Sequence, residues 1–177
     1  MLGASRTPAQ TPGSPPANAG FAVGMTVQRL QDDFGVGGLI ASPAFFNGLA
    51  RLSAVGGVAW YPYGRTLSGD QDWIPFGHMR IVVESGPHVG QAPLRLYGFG
   101  GEILAFQPRR LSDDRVSVGG VGGFGFEFFG PAVNGSAPMS YFIEIGGAGS
   151  GARATNLAGR PTLLNGLLIQ AGVRFYP

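Results

Sequence analysis

The C-terminal segment from Leu163 to Pro177 alternates between two kinds of side chain with a period of two. One set of positions is apolar and comprises Leu167, Ile169, Ala171, Val173 and Phe175. The other set comprises Leu168, Gln170, Gly172, Arg174 and Tyr176. Because successive side chains of a strand point to opposite faces, this pattern predicts a β-strand with one oily face. A soluble barrel would turn that face inward, whereas a barrel in lipid would turn it outward and keep Gln170 and Arg174 in the lumen.

The composition limits the kind of protein that this chain forms. Its 177 residues fit one domain, and only 12% of them are charged although 44% are hydrophobic. This charged share is about half of that in an ordinary soluble domain. The net charge of +2 is too small to indicate nucleic-acid binding. The chain has no cysteine, which excludes a disulfide framework, a thiolate metal site and a cysteine nucleophile.

The chain divides into a tail and a barrel domain. Residues 1–19 consist mainly of Ala, Pro, Ser, Thr and Gly, which predicts an extended low-complexity tail followed by a domain over residues 20–177. A tail of this composition cannot bury a core of its own, so order in it would indicate a surface that holds it, such as that of a protein partner. No apolar run approaches the eighteen or so residues that a membrane helix needs.

Eight alternating segments, separated by turn residues, follow the tail. They cover residues 21–31, 34–42, 51–61, 77–85, 93–102, 116–129, 139–148 and the C-terminal segment. An even number of strands of about ten residues, joined by polar turns, predicts an eight-stranded antiparallel transmembrane β-barrel. Most glycines fall on the polar faces, as a narrow lumen requires.

Aromatic residues cluster near the predicted strand ends, where membrane barrels carry interfacial girdles. The predicted girdle comprises Trp60, Tyr61, Trp73, Phe76, Phe128, Phe129, Tyr141, Phe175 and Tyr176. The alternative fold is a soluble lipocalin-like barrel that binds an apolar ligand inside. Its outer face would then carry glycine, serine, threonine and very few charges, which is a poorly soluble surface.

Charged residues on the polar faces predict a cluster in the lumen. The turn positions place Glu84 opposite Arg95 and Glu127 opposite Glu144. The predicted cluster comprises Glu84, Arg95, Glu127, Glu144 and Arg174, with Arg80 and His78 deeper. Paired carboxylates can serve as acid and base, but ion pairs are also the ordinary way to fill a narrow lumen. We predict the structural role, and no catalytic residue.

The remaining motifs do not indicate a cofactor or metal. His78 and His88 are the only histidines, and their spacing does not suit a metal site. The glycine run 119–123 lies within an alternating strand, lacks a lysine and precedes no helix, so it is not a phosphate loop. Arg29, Arg51 and the pair 109–110 sit near strand ends, where we predict solvated charges or contacts with lipid phosphates.

The region from Arg153 to Phe175 resembles the closing hairpin of small outer-membrane β-barrel proteins. It is faintly similar to the lipid A deacylase branch, in which a His-x-Ser-Asn loop precedes an Asn-Pro-Gly turn and a Gly-x-Arg-Phe strand. The resemblance implies the fold. In that branch a His, a Ser and a downstream Glu carry out hydrolysis, but the matching positions here are Arg153 and Thr155, and no Glu follows Glu144. Since arginine stays protonated and cannot act as the base, the chain departs from that catalytic pattern.

The prediction that follows is a bacterial outer-membrane β-barrel with outer-membrane lipid around it and a non-enzymatic structural or protein-interaction role. A hydrolase acting on envelope lipid is the alternative with an enzymatic function. The residues Met1 to Arg6 contain no apolar stretch of a secretory signal. This localisation therefore requires a signal peptide that has been removed or is missing from the chain.

Overall fold

The computed structural model describes residues 20–63, 72–90, 92–131 and 138–177. The tail predicted for residues 1–19 lies outside these ranges. Within them, no helix is both long and apolar enough to cross a membrane.

Eight antiparallel strands form one closed barrel in which each strand pairs with its neighbours in sequence and β1 pairs with β8. The strands are β1 (Ala22–Leu30), β2 (Asp33–Ala41), β3 (Ala50–Tyr63), β4 (Asp72–Ser85), β5 (Leu94–Phe106), β6 (Val116–Phe129), β7 (Met139–Gly149) and β8 (Asn165–Phe175). The predicted strand number and order are confirmed. One end of the barrel, the terminal end, holds the start of β1, the end of β8 and the turns after even-numbered strands. The opposite end, the loop end, holds the turns after odd-numbered strands.

The fourth strand is longer than predicted, because it begins at Asp72 rather than at residue 77. Pro75 suggested a loop at this point, since proline cannot donate a hydrogen bond to a neighbouring strand. In the structure Pro75 pairs with Trp60 of β3, while the ladder between β4 and β5 starts only at Gly77. The proline therefore occupies a stretch of β4 that has one strand neighbour, where a missing donor is tolerated.

The oily faces of the strands point outward. Val27, Ile81 and Ile169 are exposed by 50%, 39% and 46% of their surface, and they lie on three separate strands. Phe126 is half-buried against its outward neighbour Phe124, at a ring distance of 5.9 Å. This orientation is the reverse of a soluble lipocalin-like barrel, whose apolar residues would meet at the centre. It matches a barrel that presents an apolar band to lipid.

The girdle prediction is right for some aromatic residues and wrong for others. Outward-facing members are Trp73, Phe128, Tyr141 and Phe175, together with the half-buried Trp60, which stacks on Phe34. Phe76 and Phe129 are buried inside the barrel, Tyr61 packs against its core, and Tyr176 turns into the lumen. The error arises because neighbouring aromatics along a strand cannot share a face.

The interior has two layers. At the loop end, strand residues and two loops form an apolar plug, whose members include Ile74, Phe76, Ile103, Leu111, Leu157, Leu163, Leu164 and Leu168. At the terminal end the lumen is filled by buried charged and polar side chains. The loop leading to β8 folds over the plug: the backbone N–H of Leu164 donates to Asp33 Oδ2 at 2.6 Å. From its sequence we predicted only a connecting loop here.

The register differs from the predicted one at both turns used to place the lumen charges. Arg95 lies opposite His88, and Glu84 lies opposite Phe99. The hairpin between β4 and β5 therefore turns later than assumed, because pairing continues through His88 beyond the end of β4. Between β6 and β7, Glu127 lies opposite Phe142 and Glu144 lies opposite Gly125. The predicted direct pairs Glu84–Arg95 and Glu127–Glu144 across the ladder are thus wrong.

Candidate functional site

Arg174 of β8 lies at the centre of the buried charges at the terminal end. Its guanidinium donates two hydrogen bonds to Glu84 of β4, Nη1 to Oε2 at 3.0 Å and Nη2 to Oε1 at 2.6 Å. Nη1 also lies 3.2 Å from Oε2 of Glu127. The guanidinium packs over the ring of Phe142 at 4.4 Å from its centroid. This two-pronged geometry fits a planar guanidinium and holds β8 against β4 across the lumen.

Two further arginines complete this layer from other strands. Arg95 Nη1 lies 3.4 Å from both Glu84 Oε2 and Glu127 Oε2. Arg51, at the start of β3, lies 3.7 Å from Glu127 Oε1 and donates to the Tyr176 hydroxyl at 2.9 Å. Arg51 was predicted to be a solvated or lipid-facing charge, which is wrong. Its side chain is buried in the lumen because it occupies an inward position of β3.

A second ion pair lies deeper in the lumen. Arg80 Nη2 donates to Glu144 Oε2 at 2.7 Å, and the Tyr97 hydroxyl donates to Glu144 Oε1 at 2.9 Å. Beyond this pair, Gln28 Nε2 and His78 Nε2 lie 3.2 Å apart. The five residues of the predicted cluster, together with Arg80 and His78, all lie inside the barrel. Although the register was wrong, their inward phase was right, and a narrow lumen brings all inward residues of one level together.

Several hydroxyl groups outside the predicted cluster hold the carboxylates in place. Ser53 donates to Glu84 at 2.5 Å, and Ser140 donates to Glu127 at 2.7 Å. Tyr176 also donates to Glu127. In the sequence only the alternation marks them: Ser53 and Ser140 occupy inward positions near the terminal ends of their strands, and Tyr176 directly follows β8. The buried ionic residues of the lumen together form the ion-pair cluster, which comprises Arg51, Arg80, Glu84, Arg95, Glu127, Glu144 and Arg174.

The cluster is nearly neutral and closed to solvent. It contains four arginines and three glutamates, and the three carboxylates are all fully buried. Every one of these glutamates contacts at least one guanidinium. Such mutual pairing is what permits buried charge at all, since an unpaired buried ion is strongly destabilising. A carboxylate held in this way is neither free nor accessible to act on a substrate.

The positions that match the deacylase motif form no comparable group. The Arg153 side chain is exposed, and its backbone pairs with Thr162 in the loop before β8. The Thr155 hydroxyl lies 3.0 Å from that of Ser112 in another loop of the loop end. Glu144 points into the lumen toward Arg80. Among the described residues, no three His, Asp or Glu side chains are grouped so as to hold a metal ion.

Comparison with solved structures identifies the architecture. The chain is similar to the N-terminal β-barrel domain of Pseudomonas aeruginosa OprF, with a TM-score of 0.57, 14% identity, and coverage of 88% of this chain and 95% of that domain. The fold is an eight-stranded transmembrane β-barrel. No family model matches the sequence, and no curated protein is similar to it at a significant level. At this identity the likeness concerns the fold alone.

The first prediction from the cluster concerns Tyr176. Its hydroxyl accepts from Arg51 and donates to Glu127, so Tyr176→Phe removes two hydrogen bonds to charged groups. We expect the free energy of unfolding to fall by about 1.5–3 kcal/mol. Urea unfolding of the protein in lipid vesicles measures this. Tyr141→Phe is the matched control, because the Tyr141 side chain is exposed on the outer face; equal losses in the two variants would contradict the assigned contact.

His88, in the turn between β4 and β5, gives a prediction for pH. Burial and the positive charge of Arg95 lower the pKa of this histidine below its ordinary value of 6.5, with Glu127 opposing them and Arg51 adding to them. The unfolded chain therefore binds a proton more readily than the folded protein does. Stability should decrease as the pH falls below about 6.5, and His88→Gln should remove this part of the decrease. Unfolding midpoints at pH 7 and pH 5 test this; an unchanged pH dependence in His88→Gln would contradict it.

Proposed function

We propose that the protein resides in a bacterial outer membrane and has a non-enzymatic, structural or protein-interaction role. The observation that carries this proposal is the pairing of an outward apolar face with a lumen closed by ion pairs at one end and by the apolar plug at the other. The outer face suits lipid as its surroundings. The filled lumen suits a scaffold rather than a pore.

The fold supports an outer-membrane location, because closed β-barrels satisfy all their backbone hydrogen bonds within lipid. Residues that would contact a partner outside the membrane then lie in the loops of the loop end or in the tail of residues 1–19. We propose that this tail binds a protein partner. Nucleic acid is not among the proposed partners, because the net charge is only +2.

Cell fractionation and gel mobility test the location. We expect the full chain in the detergent-extracted outer-membrane fraction. Unheated samples should migrate differently from boiled ones, because a closed barrel resists the detergent until it is heated. Recovery in the soluble fraction, with no difference between heated and unheated samples, would overturn the proposal.

An envelope-lipid hydrolase is the alternative, and the loop end is where its residues would have to lie. The Thr155 hydroxyl has a serine beside it and the buried Glu144 is paired with Arg80, so neither is set up for hydrolysis. We therefore expect the mass spectrum of envelope lipids to be the same in cells with the wild-type protein, with Thr155→Val and without the protein. A lipid species that depends on Thr155 would establish the enzyme instead.

A further inference from the structure

One carboxylate lies on the outer face of the barrel, within the apolar band. Glu102 of β5 is exposed and shares the outward phase of its strand with Leu96 and Phe106. Leu96 lies toward the terminal end and Phe106 toward the loop end, and both are exposed hydrophobic residues. Among the described residues, Glu102 forms no ion pair. An ionisable side chain facing lipid is costly and usually marks a functional contact.

Glycines surround Glu102 on the same face. Glu102 pairs with Gly120 of β6, and the adjacent outward pair is Gly100 with Gly122. A Cβ atom at Gly120 would meet nothing within 4 Å, and one at Gly100 would meet its nearest atom, the Val121 carbonyl oxygen, at 4.0 Å. The packing of this chain therefore does not require glycine at either position. Their effect is a shallow recess that lets another backbone or side chain approach Glu102.

The counterpart of Glu102 lies on the opposite side of the barrel. Arg29 is exposed at the last outward position of β1, and β1 is four strands from β5 in either direction around the barrel. Its cross-strand neighbours are Phe34 of β2 and Ile169 of β8, which are exposed by 45% and 46%. Arg29 Nε donates to the Gln31 carbonyl at 2.9 Å. The arginine thus projects among apolar side chains, whereas Glu102 lies in a recess.

The strand register places Arg29 and Glu102 at the same level of the membrane. The row of paired residues from Glu102 runs through Ile81, Ala54 and Ile40 to Val23 of β1. In the other direction it runs through Gly120 and Gly149 to Asn165 of β8. Leu168 pairs with Leu30, and Asn165 precedes Leu168 by three residues, so this row meets the line of β1 three positions beyond Leu30. Because strands of a barrel are tilted, these two rows reach β1 below and above the true level of Glu102. The midpoint between Val23 and the position three beyond Leu30 is position 28, one residue from Arg29.

We propose that the Glu102 face of one molecule binds the Arg29 face of a second copy in the same membrane, and that repetition of this contact builds open rows. The inference rests on the membrane location proposed above. Copies inserted in the same orientation meet only groups at their own level, and here the two charges match in level and differ in sign. Because the two faces lie on opposite sides, each molecule can engage two neighbours, and such a head-to-tail contact does not close into a symmetric dimer.

A second copy is favoured over other occupants by this match. Acyl chains carry no cation for Glu102, and any other protein would have to present one at this level. Another copy supplies Arg29 at the required level without any additional component. Pairing would remove both the lone carboxylate and the guanidinium from lipid at once, which makes the contact favourable in a medium of low polarity.

Cysteine cross-linking tests the proposal, because the chain has no cysteine of its own. The full chain is reconstituted in phosphatidylcholine vesicles, and heat-modifiable mobility is first verified. Gly100→Cys lies two residues from Glu102 and Val27→Cys lies two residues from Arg29, both toward the terminal end, so the two cysteines share a level. Together they should give, on mild oxidation, a ladder of dimers, trimers and larger species. The control places cysteines at Leu52 of β3 and Ile143 of β7, which are also outward and lie a quarter turn away. This control pair should give no ladder.

Mixing of variants tests the direction of the contact. Glu102→Gln with Val27→Cys keeps only the Arg29 face, and Arg29→Gln with Gly100→Cys keeps only the Glu102 face. Each alone should give at least a tenfold loss of cross-linked product relative to the double-cysteine protein, and their mixture should give a dimer and nothing larger. Both substitutions remove a charge from the outer face, so they should not impair insertion.

Three results would overturn the proposal: similar ladders from both cysteine pairs, a ladder that survives Glu102→Gln, or cross-linking only to another protein in native membranes. A wild-type protein that lacks heat-modifiable mobility would instead refute the membrane location. The failure of the row and the failure of the proposed function are therefore separate outcomes.

Discussion

Arg174→Met should lower the free energy of unfolding by about 3–5 kcal/mol, because it removes one partner of a buried ion pair and leaves the other charged. The two hydrogen bonds of Arg174 to Glu84 would be lost together with its contact with Glu127. Arg95 would remain, but its guanidinium lies 3.4 Å from each of these glutamates and cannot replace the close pairing. Methionine keeps much of the side-chain volume, so the loss reports on charge rather than on a cavity.

The temperature at which the gel mobility changes and urea unfolding in vesicles both measure this loss. Arg110→Met is the matched control, since the ion pair of Arg110 with Asp72 is exposed, with 61% and 52% of the two side chains accessible. An exposed pair contributes about 0–1 kcal/mol. If Arg174→Met behaved like Arg110→Met, the cluster would not be what closes the terminal end of the lumen.

Gly146→Ala should destabilise the barrel by about 3 kcal/mol or more, while Gly147→Ala should change stability by no more than about 1 kcal/mol. A Cβ at Gly146 would collide with the Gly122 carbonyl oxygen and lie 2.9 Å from the Gly123 Cα atom, both on the backbone of β6. A rigid neighbouring strand cannot move aside for one methyl group. A Cβ at Gly147 would meet its nearest atom, the Gly166 carbonyl oxygen, at an ordinary 3.7 Å.

This pair of variants isolates the close approach of β6 and β7, because the two positions are adjacent and carry the same substitution. Unfolding in vesicles and the yield of the heat-modifiable form are the measurements. Equal stability of the two variants would mean that the strands can separate to admit a side chain on the inner face, contrary to the described packing.

The sequence predicted the fold because a membrane barrel depends on one simple pattern. Alternation in the C-terminal segment fixed which face of β8 is oily, and Ile169 is indeed outward while Gln170 and Arg174 are buried. The same period placed Glu84, Glu127 and Glu144 inside. Their inward phase follows from local sequence, and their proximity then follows from the small radius of an eight-stranded barrel.

What the sequence did not predict depends on longer-range geometry. Hairpin turns were located from glycine and proline, but pairing between His88 and Arg95 continues beyond the last regular residue of β4, which shifts the register. Arg51 was assigned to the surface because its position at a strand end says nothing about which face it occupies. The apolar plug was missed since its leucines at positions 157 and 163 lie in a loop without periodicity, and only tertiary contacts with strands bury them.

The bond between Arg174 and Glu84 joins residues 90 positions apart in the chain. It forms only when the last strand is in place, the same event in which β8 pairs with β1. Before β8 is in place, the growing sheet would present Glu84, Glu127 and Glu144 without their central cation. These incompletely paired carboxylates would destabilise an incomplete barrel in the bilayer. Assembly is therefore expected to be all-or-none, with electrostatic neutralisation and ring closure as a single late step rather than a sequence of stable partial sheets.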